Sequence, residues 1–153
     1  MLEQQPTQPI LESLWWLISG KLAGVRKPTA EELTELRETG IGAIVSVLDD
    51  SSNLALYDAA NVPHLWLPTQ GGTAPSREQV QQLQAFVDQQ NQLGNAVAIH
   101  CTNGRRRTAT MIVAYLIRSG LSYGEAMQMM QSANSDIDLR EAQTTFLQEL
   151  AEE

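Results

Sequence analysis

The stretch "HCTNGRRRT", His100 to Thr108, follows "NAVAI", Asn95 to Ile99, and runs into "ATMIVAYLIRSG", Ala109 to Gly120. An apolar, β-branched run before it and a segment apolar nearly all round after it predict a buried strand ending at the cysteine, then a central buried helix that stops at Gly120. Cys101 is then the first residue of a strand-to-helix turn, where backbone N–H groups and the helix N-terminus converge and favour an anion. Ligands of α/β sheets bind at such carboxyl ends. A thiol in this place ionises more readily than a free one, because helix N-termini and neighbouring cations lower its pKa from about 8.5 to roughly 3.5–7.5. Arg107 has a planar fork that holds two phosphate oxygens at once, which lysine cannot imitate. Thr108 has a hydroxyl that can donate to the sulfur, and Gly104 permits a turn that a Cβ would obstruct. The spacing describes a nucleophile beside an anion cradle.

Outward from this stretch, the chain alternates strand and helix signals. "SLWWLISGKLAG", Ser13 to Gly24, reads as short aromatic and aliphatic strands around a glycine turn, and "IGAIVSVL", Ile41 to Leu48, as a buried strand. His64 to Leu67 is a further strand. Thr29 to Thr39 reads as a helix with a Thr29-x-x-Glu32 capping box and a stop at Gly40; Ser76 with Gln79 opens another, whose apolar positions Val80, Leu83, Phe86, Val87 and Leu93 leave the glutamines outside. Two more helices follow, from Ser122 (with Glu125) to about Ser132 and from about Leu139 to Leu150. This order predicts an α/β fold, a central mostly parallel sheet flanked by helices. Met1 to Pro9 is polar and broken by proline, so residues 1–10 are expected to be a flexible tail and residues 11–153 a single domain.

Composition limits the function. The chain has 153 residues, 42% of them hydrophobic and 18% charged, with a formal net charge of −8. That is ordinary globular usage, and the charge excludes a surface that binds nucleic acid as a whole, so any anionic ligand must be held locally. One cysteine makes no internal disulfide, and no apolar run is long enough to span a bilayer. A cytoplasmic monomer is the expectation.

H-C-x-x-G-x-x-R-T, here His100, Cys101, Gly104, Arg107 and Thr108, resembles the signature of the cysteine-dependent protein-tyrosine and dual-specificity phosphatases. "LWWLISGKLAG", "HLWLP" and "NAVAIHC" with "RTATMIVAYLI" extend the likeness from about Leu14 onward, to the small atypical dual-specificity phosphatases above all. The resemblance implies the protein-tyrosine-phosphatase-like fold and phosphomonoester hydrolysis through a phosphocysteine on Cys101, with no metal and no organic cofactor. It implies a phosphorylated protein as substrate, phosphotyrosine foremost, or another phosphomonoester. Backbone N–H groups over Thr102, Asn103, Gly104, Arg105, Arg106 and Arg107, together with the Arg107 side chain, would hold the phosphoryl oxygens. His100 would support the cysteine; the alternative is a buried histidine that holds only the loop's carbonyls.

Two departures from the family pattern stand out. Relatives carry W-P-D or I-P-D in a second loop, whose aspartate protonates the leaving oxygen, whereas "WLPTQGG" puts Thr69 there. A positioned general acid contributes about 10²–10⁴-fold. Candidate replacements are Asp49 and Asp50, after the "AIVSVL" strand, and Asp136 and Asp138, before the last helix; for the first two the alternative is a solvated turn with Ser51 and Ser52. Gln143 resembles the family's water-positioning glutamine, or is an exposed helix residue. The second departure is Arg106, where relatives carry glycine or serine. Arg105 and Arg106 either reach the pocket rim, favouring lipid or polyphosphate substrates, or serve as surface charge. Two other readings remain: a catalytically impaired phosphate-binding module, and a rhodanese-like sulfurtransferase in the register Cys101-x-x-Gly104-x-Arg106, which Arg107-Thr108 and the N-terminal half disfavour.

Overall fold

The computed structural model describes residues 8–153. Strands β1 (Trp15–Ile18), β2 (Leu22–Val25), β3 (Ile41–Ser46), β4 (His64–Trp66) and β5 (Ala96–His100) form one sheet in the order β1-β2-β5-β3-β4. β1 pairs antiparallel with β2 across the glycine turn, and every other pairing is parallel, so the expected mostly parallel sheet is present. β5 lies at its centre. The helices are α1 (Ile10–Ser13), α2 (Ala30–Glu38), α3 (Leu54–Ala59), α4 (Arg77–Gln92), α5 (Arg106–Arg118), α6 (Tyr123–Ala133) and α7 (Glu141–Ala151).

The capping boxes read from the sequence fix three helix starts: Thr29 with Glu32, Ser76 with Gln79 and Ser122 with Glu125 each exchange side-chain and backbone bonds. Along β5 side chains alternate between faces. Val97, Ile99 and Cys101 belong to the core shared with α4, α5, α6 and α7, and Ala96 and Ala98 to the smaller one beneath α1, α2 and α3. The alternation therefore sends Cys101 and His100 to opposite sides of the sheet.

Several expectations are corrected. Helix α3 lies in a stretch to which the sequence pattern assigns no element; six residues are too short for a periodic signal, and its N-cap Asn53 has φ 74°. Leu93 caps the end of α4 and is 67% exposed rather than part of its apolar stripe. Most of the expected flexible tail, residues 1–7, lies outside the described residues. Its last residue, Ile10, opens α1 and is 1% exposed, because the smaller core takes in that side chain.

Candidate active site

Residues 101–105 form the turn between β5 and α5, and their carbonyls are tied from outside. The carbonyl of Cys101 accepts from His100 Nδ1 at 3.2 Å, that of Thr102 from the Lys27 N–H at 3.2 Å, and that of Gly104 from Trp15 Nε1 at 3.0 Å. In a trans peptide the C=O of one residue and the N–H of the next point in opposite directions. Carbonyls held outward at 101, 102 and 104 therefore turn the N–H groups of Thr102, Asn103 and Arg105 inward, toward the sulfur side. Gly104 has φ +71°, and a Cβ there would lie 2.4 Å from the backbone carbonyl of Val25. Only glycine fits this turn.

Cys101 is 4% exposed. Burial pushes its thiol up, but the Thr108 hydroxyl at 3.2 Å, the N–H groups of Thr108 and Arg105, and the Arg107 charge outweigh it, so the thiol lies below its ordinary value. Arg107 donates from Nη1 to the carbonyl of Thr69 at 3.0 Å and from Nη2 to Thr102 Oγ1 at 3.4 Å.

On the far side of the sheet a buried relay fixes His100. Since Nδ1 faces the Cys101 carbonyl, it carries the proton; Nε2 then accepts from the Tyr57 hydroxyl at 2.7 Å. Tyr57 in turn accepts from Asn53 Nδ2 at 3.0 Å, which also donates to the Pro28 carbonyl at 2.8 Å. Burial lowers the His100 pKa from 6.5 to about 4 and raises that of Tyr57 to about 12, so both are neutral. His100 thus holds a loop carbonyl, one of the two roles expected for it.

The turn opens on a cavity of about 400 Å³ lined by its own Cys101, Thr102 and Asn103 and by Gly71 and Gly72 from the loop after β4. Its charged lining is Arg105, Arg106, Arg107 and Arg140. Arg105 Nη2 donates to the carbonyl of Asp136 at 2.8 Å and Arg106 Nε to that of Asp138 at 2.7 Å, so both reach the rim while bracing the segment before α7.

The aspartates divide. Asp136 and Asp138 meet these arginines through backbone oxygens, and neither side chain lines the cavity. Asp50 is fully exposed and bonds to Ser52, the solvated turn anticipated as its alternative; Ser52 holds its carboxyl below the usual range. Asp49 Oδ1 alone approaches the site, 4.0 Å from Arg107 Nη1, with its side chain 56% exposed. Thr69 is buried, and its hydroxyl donates back to the Leu67 carbonyl at 3.1 Å. Gln143 is also buried, contrary to the exposed alternative: Nε2 donates to the Thr73 carbonyl at 3.3 Å and Oε1 accepts from the Arg140 N–H at 2.9 Å, an arrangement that props the loop after β4. Among the described residues no group of three or more His, Cys, Asp or Glu is placed to hold a metal ion.

Trp15, Tyr57, Asn53 and Arg140 escaped the sequence reading. Arg140 had one signal, a cation at the start of a helix, where the dipole disfavours it.

The family model described as Tc-R-P, the DSP-PTPase phosphatase of polymorphic toxin systems, matches residues 19–121. The chain belongs to this DSP-PTPase phosphatase family. It is 25% identical over 143 residues to the phosphatidylglycerophosphate phosphatase PTPMT2 of Arabidopsis thaliana, covering 90% of this chain and 63% of that protein, so it spans less than two thirds of that relative's length. Among solved structures, Tk-PTP in its active form is similar at 30% identity with a TM-score of 0.82, covering 92% of this chain and 97% of that one. Human DUSP28, at 24% identity and a TM-score of 0.77 over 97% of each chain, shares the DSP-PTPase fold. No helix among the described residues is long and apolar enough to cross a membrane.

Proposed function

We propose that residues 11–153 are one catalytic domain that hydrolyses phosphomonoesters by the cysteine-dependent mechanism. The observation that carries this reading is the Cys101 sulfur, held low in pKa inside a turn whose carbonyls face away from it and whose Arg107 fork closes the ring. The Cys101 thiolate attacks phosphorus. An S–P bond forms as the ester P–O bond breaks, and the equatorial oxygens gain charge that the inward N–H groups of Thr102, Asn103 and Arg105 and the Arg107 guanidinium stabilise. Water then attacks the phosphocysteine, the S–P bond breaks, and inorganic phosphate leaves with the thiolate restored. Thr108 stabilises that thiolate, and His100 positions the loop.

The leaving oxygen takes its proton from solvent, because the residue at the acid position is Thr69 and no carboxylate is among the described residues lining the cavity. This favours aryl phosphates, and hence phosphotyrosine in a protein, as the substrate class, since a phenoxide leaves without prior protonation more easily than an alkoxide. A nucleophilic thiol needs a reducing compartment, which fits the cytoplasm.

Cys101→Ser tests this. Turnover should vanish while vanadate or phosphate binding persists, because the N–H groups and Arg107 remain; multiple turnovers by the variant would overturn the mechanism.

A second reading, a phosphate-binding module with slow release, draws on the same missing carboxylate, and turnover of an activated aryl phosphate separates it from the first. The sulfurtransferase register has less support, since it is Arg107 that bridges Thr102 and Thr69 whereas Arg106 bonds to the Asp138 carbonyl at the rim.

A further inference from the structure

Strand β1 stands at an edge of the sheet and, among the described residues, pairs with β2 alone. Its sequence, WWLI, contains neither a charge nor a proline, the usual protection of an exposed edge. A groove of about 660 Å³ lies between β1 and α6, lined by Trp16, Leu17, Leu121, Met129 and Ala133 among others. Successive side chains of a strand point to opposite faces; Leu17 packs on the larger core and Trp16 on the smaller. A groove that both residues line therefore reaches the strand's open edge. It adjoins a further hollow of about 470 Å³, which shares Leu121 and Met129 and follows β1 to Ile18 and Lys21.

The other end of the groove leads to the catalytic cavity. A small hollow of about 170 Å³ shares Asn103 and Arg105 with that cavity, and it takes in Asn134, next in sequence to Ala133, and Ser13, just before β1. Beyond Arg105 the charge along this path turns acidic. Glu12 and Asp136 line the small hollow, Glu125 the groove and Asp88 its continuation, against the cation Lys21. Among the described residues none of these four carboxylates has an ion pair.

We propose that the open edge of β1 docks the polypeptide substrate: a segment beside its phosphotyrosine, extended and alternating apolar residues with lysine or arginine, adds to the sheet as a further strand. The proposal rests on the phosphatase reading and specifies how that same site takes its partner. Main-chain bonds to β1 supply affinity and the alternate side chains supply selectivity. The apolar ones enter the groove against Leu17, Leu121 and Met129, and the basic ones meet the unpaired carboxylates. β1 has four residues, so the added strand is equally short, roughly 13 Å at ~3.3 Å per residue. A second copy of this chain is a poorer occupant, because each carries a net charge of −8 and would bring the same carboxylates to the same edge.

The test is steady-state kinetics of the full chain on synthetic phosphotyrosine peptides. One is short and flanked by alanines; the others add a Val-Lys-Val-Lys-Val segment on the N-terminal or the C-terminal side. One extended peptide should show KM lowered on the order of tenfold at low salt with kcat unchanged, and the gain should shrink as salt rises. N-methylation of alternate peptide nitrogens in the segment distinguishes strand pairing from apolar contact alone: one alternate set should abolish the gain and the other should leave it. Met129→Lys, at an exposed position of the groove, should remove most of the gain while p-nitrophenyl phosphate and the alanine-flanked peptide turn over as before. Gln81→Lys, exposed and lining none of these hollows, should leave the gain intact. Equal KM for all peptides, a gain indifferent to both N-methylated sets, or one that Met129→Lys spares or Gln81→Lys equally removes overturns the docking surface. A wild-type dimer in sedimentation that Met129→Lys dissociates, with no gain for either extended peptide, overturns it too and gives the edge to a second copy. If neither the peptides nor p-nitrophenyl phosphate turn over, the phosphatase reading beneath it fails instead.

Discussion

The turn after β5 and the loop after β4 are both held tightly, but the first presents a thiol, Cys101, and the second a buried threonine, Thr69. The first is tied to Trp15, Lys27 and His100, whose bonds to the carbonyls of Gly104, Thr102 and Cys101 turn the following N–H groups inward. The second is fixed by equally specific bonds: Thr69 N–H to the Val47 carbonyl, Gln79 to Pro68, Gln143 to Thr73, and Arg107 to the Thr69 carbonyl. These contacts use main-chain oxygens, so the loop keeps its place whatever side chain stands at position 69. Position and reactivity are thus separable, and Arg107 joins the two loops through an atom that substitution at 69 leaves in place.

Breaking the first loop should have the largest effects. Arg107→Lys removes the two-point grip and the bridge to Thr69, and turnover of an aryl phosphate should fall on the order of 10²–10³-fold. Were Arg107→Ala mild and Arg106→Ala severe, the sulfurtransferase register would replace the one argued here. Gly104→Ala forces a Cβ onto the Val25 carbonyl and a non-glycine residue to φ +71°. The displaced turn should lose about 10²-fold in turnover, with phosphate affinity falling in parallel.

The buried relay sharpens the comparison through stability. His100 titrates at about 4 when folded against 6.5 ordinarily, so the unfolded chain binds the extra proton first as pH falls. Stability from this group is complete above about 6.5 and drains away between 6.5 and 4, by up to about 3 kcal/mol. Chemical denaturation across that window should show this slope in the wild type and a shallower one in His100→Asn. Tyr57→Phe leaves His100 Nε2 buried without its donor, costing about 1–3 kcal/mol of stability. It also lets the imidazole rotate away from the Cys101 carbonyl, so the acid limb of kcat/KM should move to higher pH as the thiol pKa rises.

The fold and the candidate nucleophile were legible because their signals are local. Capping boxes, glycine stops, the apolar run of β5 and the spacing from Cys101 to Arg107 each lie within a dozen residues. What escaped is what the fold assembles from afar: Tyr57 reaches His100 across 43 residues of sequence, and Trp15 reaches Gly104 across 89. The departures at Thr69 and Arg106 were visible in the sequence, but the bonds from Arg105 and Arg106 to the segment before α7 were not. Those bonds decide that both arginines reach the cavity, and they exist only because α7 packs against α5. The aspartates were ambiguous for the same reason, since whether a carboxylate or only its backbone faces a site is set by tertiary packing.

The leaving-group dependence of kcat/KM tests the central contrast most directly. For a series of aryl phosphates spanning phenol acidity, the wild type should show a steep decline as the phenol becomes less acidic, with alkyl phosphates slower still, since no carboxylic acid assists departure. Thr69→Asp should flatten the line by raising the rates of the poor leaving groups, by up to about 10²-fold, and change the activated esters little. A flat line in the wild type, with Thr69→Asp gaining nothing, would contradict the account and require another acid in the site; loss of that flatness in Asp49→Asn would identify it.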